Sequence, residues 1–166
     1  MQVHSKRKAA GLLDRLAARE LSNAAALEAW DAFLRAHATL MRRLELDLAQ
    51  ATGLALADFD VLAQLARAGG ELRMTDLATR ALVSRSGMTR RVARLVEEGL
   101  VQRANADSDG RGVVVALTDT GLARLAETAP VHLHGISELF LTRLDDRELA
   151  VLENALEKVT VDCTFG

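Results

Sequence analysis

A mostly α-helical fold with one small β-element is what this chain of 166 residues predicts. Three observations lead there. Hydrophobic residues make up 49% of the chain but aromatic residues only 3%, with a single proline, so Ala and Leu carry the apolar surface and helices are favoured. Apolar residues recur at steps of three and four over long stretches. Between Leu72 and Thr118 that pattern gives way to two β-rich runs around a turn of Asn, Asp, Ser and Gly.

Residues 1–23 form an N-terminal extension. Leu12, Leu13, Leu16 and Leu21 stand among charges there, as in a short amphipathic helix; a frayed tail is the alternative. Lys6-Arg7-Lys8 is basic, but the apolar run after it is cut short by Asp14 and Arg15, too early for a signal-peptide core. Residues 24–51 predict one long helix, with Trp30, Leu34, His37, Met41, Leu44 and Leu48 at heptad spacing. Such a seam calls for a partner helix. His37 is its polar member and reads either as a hydrogen-bonded core or interface histidine or as a ligand or proton sensor. Trp30 reads as a packing anchor. Thr52-Gly53 ends this helix, and Leu56 to Ala68 forms the next, with Phe59, Leu62 and Leu65 inward and Gly69-Gly70 as terminator. Asp58 and Asp60 suit the helix dipole near its start.

Thr75 is an N-cap type ahead of a short helix, Asp76 to Ala81. Leu82-Val83 makes an apolar elbow, and Ser84 opens a second helix whose Met88, Val92, Leu95 and Val96 share one face. Gly99 stops it. Leu100 to Ala104 and Val113 to Leu117 then form a hairpin, to which Leu72-Arg73-Met74 can add a third strand. Short helix, elbow, second helix and hairpin describe a winged helix-turn-helix over residues 57–118. Arg80, Arg85, Arg90, Arg91 and Arg94 follow one another with no acid between them. Residues 73–112 hold eight Arg against five acids, a local excess of positive charge on a chain whose total is -2. Arg85, Ser86, Thr89, Arg90 and Arg91 fall opposite the Met88/Val92/Leu95 face. A recognition helix needs that arrangement, with Arg85, Ser86, Thr89 and Arg90 for base edges and Arg91 for phosphates.

Thr118 caps a further helix running toward Leu144, which Pro130 should kink or interrupt. His132 and His134 point about 200° apart on a helix, so they do not share a metal ion. Asp145-x-x-Glu148 is a capping box opening the last helix, whose Leu149, Leu152, Leu156 and Val159 form a stripe. Residues 24–56 and 119–166 are therefore expected to form a helical dimerisation region, joining two chains about a two-fold axis. The single Cys163 excludes an intramolecular disulfide framework and a cysteine zinc cluster. No apolar run approaches the ~20 residues that span a bilayer. Phosphate loops, G-x-S-x-G and metal-ligand spacings are missing, so the expectation is a cytoplasmic non-enzyme with no metal, no cofactor and no membrane contact.

Leu77-Ala78, Ser84-x-Ser86, Thr89-Arg90, Arg94-Leu95, Glu98-Gly99-Leu100-Val101, Asp109-x-Arg111 and Leu117-Thr118 followed by Gly121 stand in one order. With that spacing the stretch resembles the multiple-antibiotic-resistance regulator (MarR) family of winged-helix repressors, and helix pattern extends the resemblance over roughly Ala24 to Val159. The resemblance implies a homodimeric regulator, a repressor for preference, on a near-palindromic operator in double-stranded DNA. Its DNA contacts would come from Ser84, Arg85, Ser86, Thr89, Arg90, Arg91, Arg94, Asp109 and Arg111. Arg111 would enter the minor groove, and Asp109 would hold the wing by pairing with an arginine such as Arg94. Gly110 departs from the family, which often has a second basic residue there. The resemblance also implies release by a small-molecule effector, an aromatic or phenolic acid, with Trp30, His37, Met41 and Phe59 as its contacts. Two alternatives stand beside this. One is a redox-responsive repressor sensing through Cys163, which lies elsewhere than the N-terminal cysteine of the family's peroxide sensors. The other is a winged-helix protein-interaction module without DNA binding, which has no need of five unopposed arginines.

Overall fold

The computed structural model describes residues 11–21, 23, 26–105 and 112–161. Its elements are α1 (Leu12–Glu20), α2 (Leu27–Thr52), α3 (Leu56–Arg67), β1 (Glu71–Arg73), α4 (Met74–Arg80), α5 (Arg85–Glu97), β2 (Val101–Asn105), β3 (Val113–Leu117), α6 (Asp119–Leu139) and α7 (Asp146–Val161). A 3-10 turn, Leu141–Arg143, joins the last two helices. The fold is mostly helical with a small antiparallel sheet. The chain divides into two compact units, the division falling within α2 between Met41 and Arg42.

The first unit contains α1 and the beginning of α2. Neither buries a side chain there: Leu12, Leu13, Leu16 and Leu21 are exposed, as are Trp30, Leu34 and Met41 of the heptad seam. Trp30, Phe33 and His37 follow one another along α2, with ring centroids 6.0 and 6.3 Å apart.

In the second unit the core draws on nearly every element. Leu44 and Leu48 come from α2, Leu56, Phe59, Val61, Leu62 and Leu65 from α3, Leu77 and Ala78 from α4, Met88, Val92 and Leu95 from α5, and Val115 from β3. Burying each large aliphatic contributes about 1.5–3 kcal/mol. Leu125, Ala129, Val131, Ile136 and Leu139 of α6 pack against this core. The helix-turn-helix and its sheet are therefore completed by α2 and α6. Arg124 of α6 also donates to the Thr52 carbonyl, and Glu45 of α2 accepts from the Leu56 N–H at the start of α3. That N–H needs a partner, because Ala55 at the N-cap has no side-chain acceptor.

The sheet order is β1-β3-β2, antiparallel throughout, with Leu72 opposite Val115 and Arg103 opposite the same residue from the other side. The third strand expected ahead of α4 is present, but Met74 belongs to the helix and Thr75 lies inside its first turn. Thr75 therefore does not cap α4; Arg73 occupies the N-cap position without a side-chain bond. Ser84 does cap α5, accepting from the Gly87 N–H at 3.1 Å. Gly99, at φ 71, ends α5 as a Schellman turn, with Leu100 N–H donating to Leu95 and Gly99 N–H to Val96. Val96 is exposed, so the buried stripe of α5 is Met88, Val92 and Leu95 alone.

Between α4 and α5, Leu82 has φ 53, the one positive value among described non-glycine residues. A side chain in that region costs about 1–2 kcal/mol. Pro130 does not interrupt α6, which runs unbroken from Asp119 to Leu139. Its missing N–H would have served Ala126, which is exposed, so water can take the donor's place. Asp145 and Glu148 form the expected reciprocal capping box, at 2.9 and 2.8 Å. No residue of α7 is buried. No helix among the described residues is long and apolar enough to cross a membrane.

Candidate nucleic-acid interface

Helix α5 has two unlike sides. Met88, Val92 and Leu95 are fully buried, while Ser84, Arg85, Ser86, Thr89 and Arg90 are exposed at its N-terminal end. The Ser84 cap holds the first turn, and the hydroxyls of Ser84 and Ser86 lie 3.4 Å apart. Thr89 donates its hydroxyl to the Arg85 carbonyl at 2.9 Å, leaving the oxygen's acceptor side outward. Among the described residues Arg85 and Arg90 have no carboxylate partner, so their guanidinium groups are free for an anion. Gly87 sits where α5 meets the elbow: a Cβ there would come within 2.9 Å of Val83 and 3.0 Å of the capping hydroxyl.

Arg91 and Arg94 have a partner within the fold that the sequence did not reveal. Both reach back to Asp58 in the first turn of α3; Arg91 Nη1 lies 3.0 Å from Oδ1, and Arg94 Nη2 contacts both carboxylate oxygens. Asp58 is 4% exposed, so a dipole preference alone does not account for it. It is the buried acceptor that fixes α5 to α3. The hydrogen bond to Asp58, and then its charge, raise the Arg94 pKa above its ordinary value. Glu98 adds a longer contact at 3.8 Å. Arg91, assigned to phosphates from the sequence, and Arg94, assigned to the wing aspartate, thus have a common structural partner that sequence reading missed. Its separation of 33 and 36 residues left no local signal.

Arg103 was missed too. From β2 it donates to the Thr89 carbonyl at 3.0 Å, tying the strand that leads into the wing to the exposed turn of α5. The wing residues Asp109 and Arg111, and Cys163, lie outside the described residues.

The expected effector contacts fall in different surroundings. Trp30, His37 and Met41 are exposed on the first unit, with Phe33 between the two rings. Phe59 is buried in the core of the second unit, where its ring lies 4.6 Å from that of His132. His132 is half-buried, its Nδ1 has no protein partner, and burial lowers its pKa, with Arg67 adding and Asp60 opposing. His134 is exposed. Among the described residues no three His, Cys, Asp or Glu side chains are placed to hold a metal ion.

A helix-turn-helix backed by a three-stranded sheet, presenting a basic, hydroxyl-bearing helix end, defines the winged-helix class of DNA-binding proteins. The family follows from comparison. A model of the MarR family matches residues 52–112. An uncharacterized HTH-type transcriptional regulator of Bacillus cereus is 32% identical over 106 residues, 64% of this chain and 69% of the relative. Two MarR family transcriptional regulators from Streptomyces coelicolor superpose with a TM-score of 0.77. AbsC is 32% identical, over 81% of this chain and 91% of its own. Sco3205, solved in complex with DNA, is 31% identical, over 81% and 84%. This chain belongs to the MarR family, whose members are DNA-binding transcriptional regulators and not enzymes.

Proposed function

We propose that the protein is a repressor that binds a near-palindromic operator as a homodimer and is released by a small-molecule effector of the phenolic or aromatic acid class. The observation that carries the DNA-binding surface is the N-terminal half of α5: one side is locked into the core, and the other offers Arg85, Ser86, Thr89 and Arg90 to base edges. In a two-fold dimer two such helices enter successive major grooves, about 34 Å apart. The exposed apolar stripes on α2 and α7 support dimerisation through residues 24–56 and 119–166. The family resemblance assigns Arg111 to the minor groove and Asp109 to holding the wing. Arg91 and Arg94 act on DNA mainly by holding α5 against Asp58. The exposed Trp30-Phe33-His37 row, with Met41 one turn further on, supports an aromatic effector on the first unit. Phe59, already packed in the core, is a weaker contact.

The test uses a duplex selected by the wild-type chain from a random-sequence library. Arg90→Ala should bind it roughly 1–3 kcal/mol more weakly at fixed salt and accept more sequences. Undiminished affinity for the selected duplex would remove α5 from the role of reader.

A further inference from the structure

The corner between α4 and α5 holds a residue that the folded chain itself does not explain. Leu82 adopts φ 53, a conformation in which a Cβ is strained and for which glycine, or asparagine with its short polar side chain, is suited. Helix-turn-helix corners often contain glycine. A leucine could offset the strain by packing, but Leu82 is 85% exposed, the most exposed of the large hydrophobic residues described. Its neighbours supply the packing instead: Ala81 and Val83 both lie against the core. The corner's backbone is satisfied without the side chain, through Leu82 N–H to Thr79 and Val83 N–H to Ala78. Strain without return inside the protein points to a use outside it.

We infer that the Leu82 side chain is an apolar contact to DNA, resting on the reading above that the N-terminal end of α5 faces the groove. Leu82 stands two residues before the Ser84 cap, at the same end of the helix as the exposed Arg85 and Ser86. A leucine there meets one of two apolar features of a duplex. The first is the C5 methyl group of thymine, which distinguishes that base in the major groove. The second is the carbon face of a deoxyribose. The contact adds to affinity without neutralising a phosphate, so it leaves the salt dependence of binding unchanged. In the first case it also reads sequence at a position the arginines do not.

Leu82→Gly and Leu82→Asn both suit the left-handed corner, and both remove the apolar side chain. Each should melt at or above the wild-type temperature and yet bind the library-selected duplex roughly ten-fold more weakly, the worth of about two buried methyl groups. The slope of affinity against salt should not move. Leu82→Met, which keeps apolar bulk, should stay near wild type. Deoxyuridine in place of thymine, one position at a time, separates the two features. A position where wild type weakens and Leu82→Asn does not weaken further identifies a methyl contact. If Leu82→Asn is weaker but no substitution matters, the sugar is the partner. Wild-type affinity in both Leu82→Gly and Leu82→Asn overturns the inference, and so does a loss accompanied by a changed oligomeric state in sedimentation, which would assign the side chain to a second copy. Arg90→Ala, run alongside, distinguishes failure here from failure of the wider reading.

Discussion

Arg91 and Arg94 stand one turn apart on α5, and both close on a carboxylate that is almost inaccessible to water. A buried charge is tolerated when it is paired and its lone pairs are occupied, and two guanidinium groups meet that condition for Asp58. Removing the carboxylate leaves cations that are not deeply buried, and Arg94, half-exposed, can turn to solvent. Asp58→Asn should therefore cost about 2 kcal/mol in urea unfolding, below the 3–5 kcal/mol of a fully buried broken pair. It should also weaken operator binding under conditions where the variant is folded, since α5 loses its tether to α3. A fully stable variant with normal binding would show that packing of Met88, Val92 and Leu95 orients the helix alone. His132 supplies a second residue-level expectation. Its lowered pKa means that the unfolded chain binds a proton more readily than the folded one. Stability contributed by neutral His132 is then present above its ordinary value near 6.5 and declines as pH falls below it toward the depressed value. Thermal melts between pH 7.5 and 5.5 should fall more steeply for wild type than for His132→Leu. Parallel curves would mean that another group governs that window. Asp60 and Arg67 are the charged groups that act on this ring, in opposite senses.

The elements show which information is local. Ser84, Thr118 and the Asp145/Glu148 pair cap helices through bonds to residues three positions away, and Gly99 ends α5 within its own turn. Those signals are chemical and near in sequence, so helix starts and stops are legible. The exposed face of α5 is legible for the same reason: it is the complement of a buried period. Legibility ends where a partner is remote. Asp58 reads as a dipole residue because its arginines lie on another helix. Arg103 stands out in the sequence only as one of the eight arginines of residues 73–112, yet it serves Thr89, and the conformation of Leu82 has no signature in its side chain. Gly121 is a further case, since it reads as family spacing while the structure gives a steric reason. A Cβ on Gly121 would lie 1.9 Å from the Leu100 carbonyl oxygen, where α5, β2 and α6 converge, and Thr118 bridges the same junction by donating to Gly99. The obstacle is backbone, which cannot swing aside. Gly121→Ala should thus destabilise by about 3 kcal/mol, at the upper end of ordinary overpacking. Calorimetry showing a change under about 0.5 kcal/mol, the usual size for an unstrained surface site, would mean that the junction yields at little cost.

The molecule as a whole carries much apolar surface that the single chain leaves uncovered. Val151, Val159 and Val161 of α7 are each more than 60% exposed, and Val151, Leu152 and Ala155 line an apolar recess edged by Arg147 and Glu148. A helix whose stripe meets no core gains little from propensity alone, so its stability must come from packing against something else. On the function proposed above that partner is a second copy, since reading a near-palindrome takes two helices held at a fixed separation. Joining two half-site binders turns the second contact into an intramolecular one, raising affinity by roughly 10²–10⁴ without any new bond to DNA. Placing charge on the stripe should undo this at a distance from α5. Leu156→Asp combined with Val159→Asp should give a monomer in sedimentation at micromolar concentration, with the N-terminal half of α5 untouched. Its affinity for the full operator should fall by at least roughly 10²-fold toward that of a half-site. Far-UV circular dichroism would separate loss of pairing from loss of helix. A variant that stays dimeric and binds normally would move the two-fold contact away from α7.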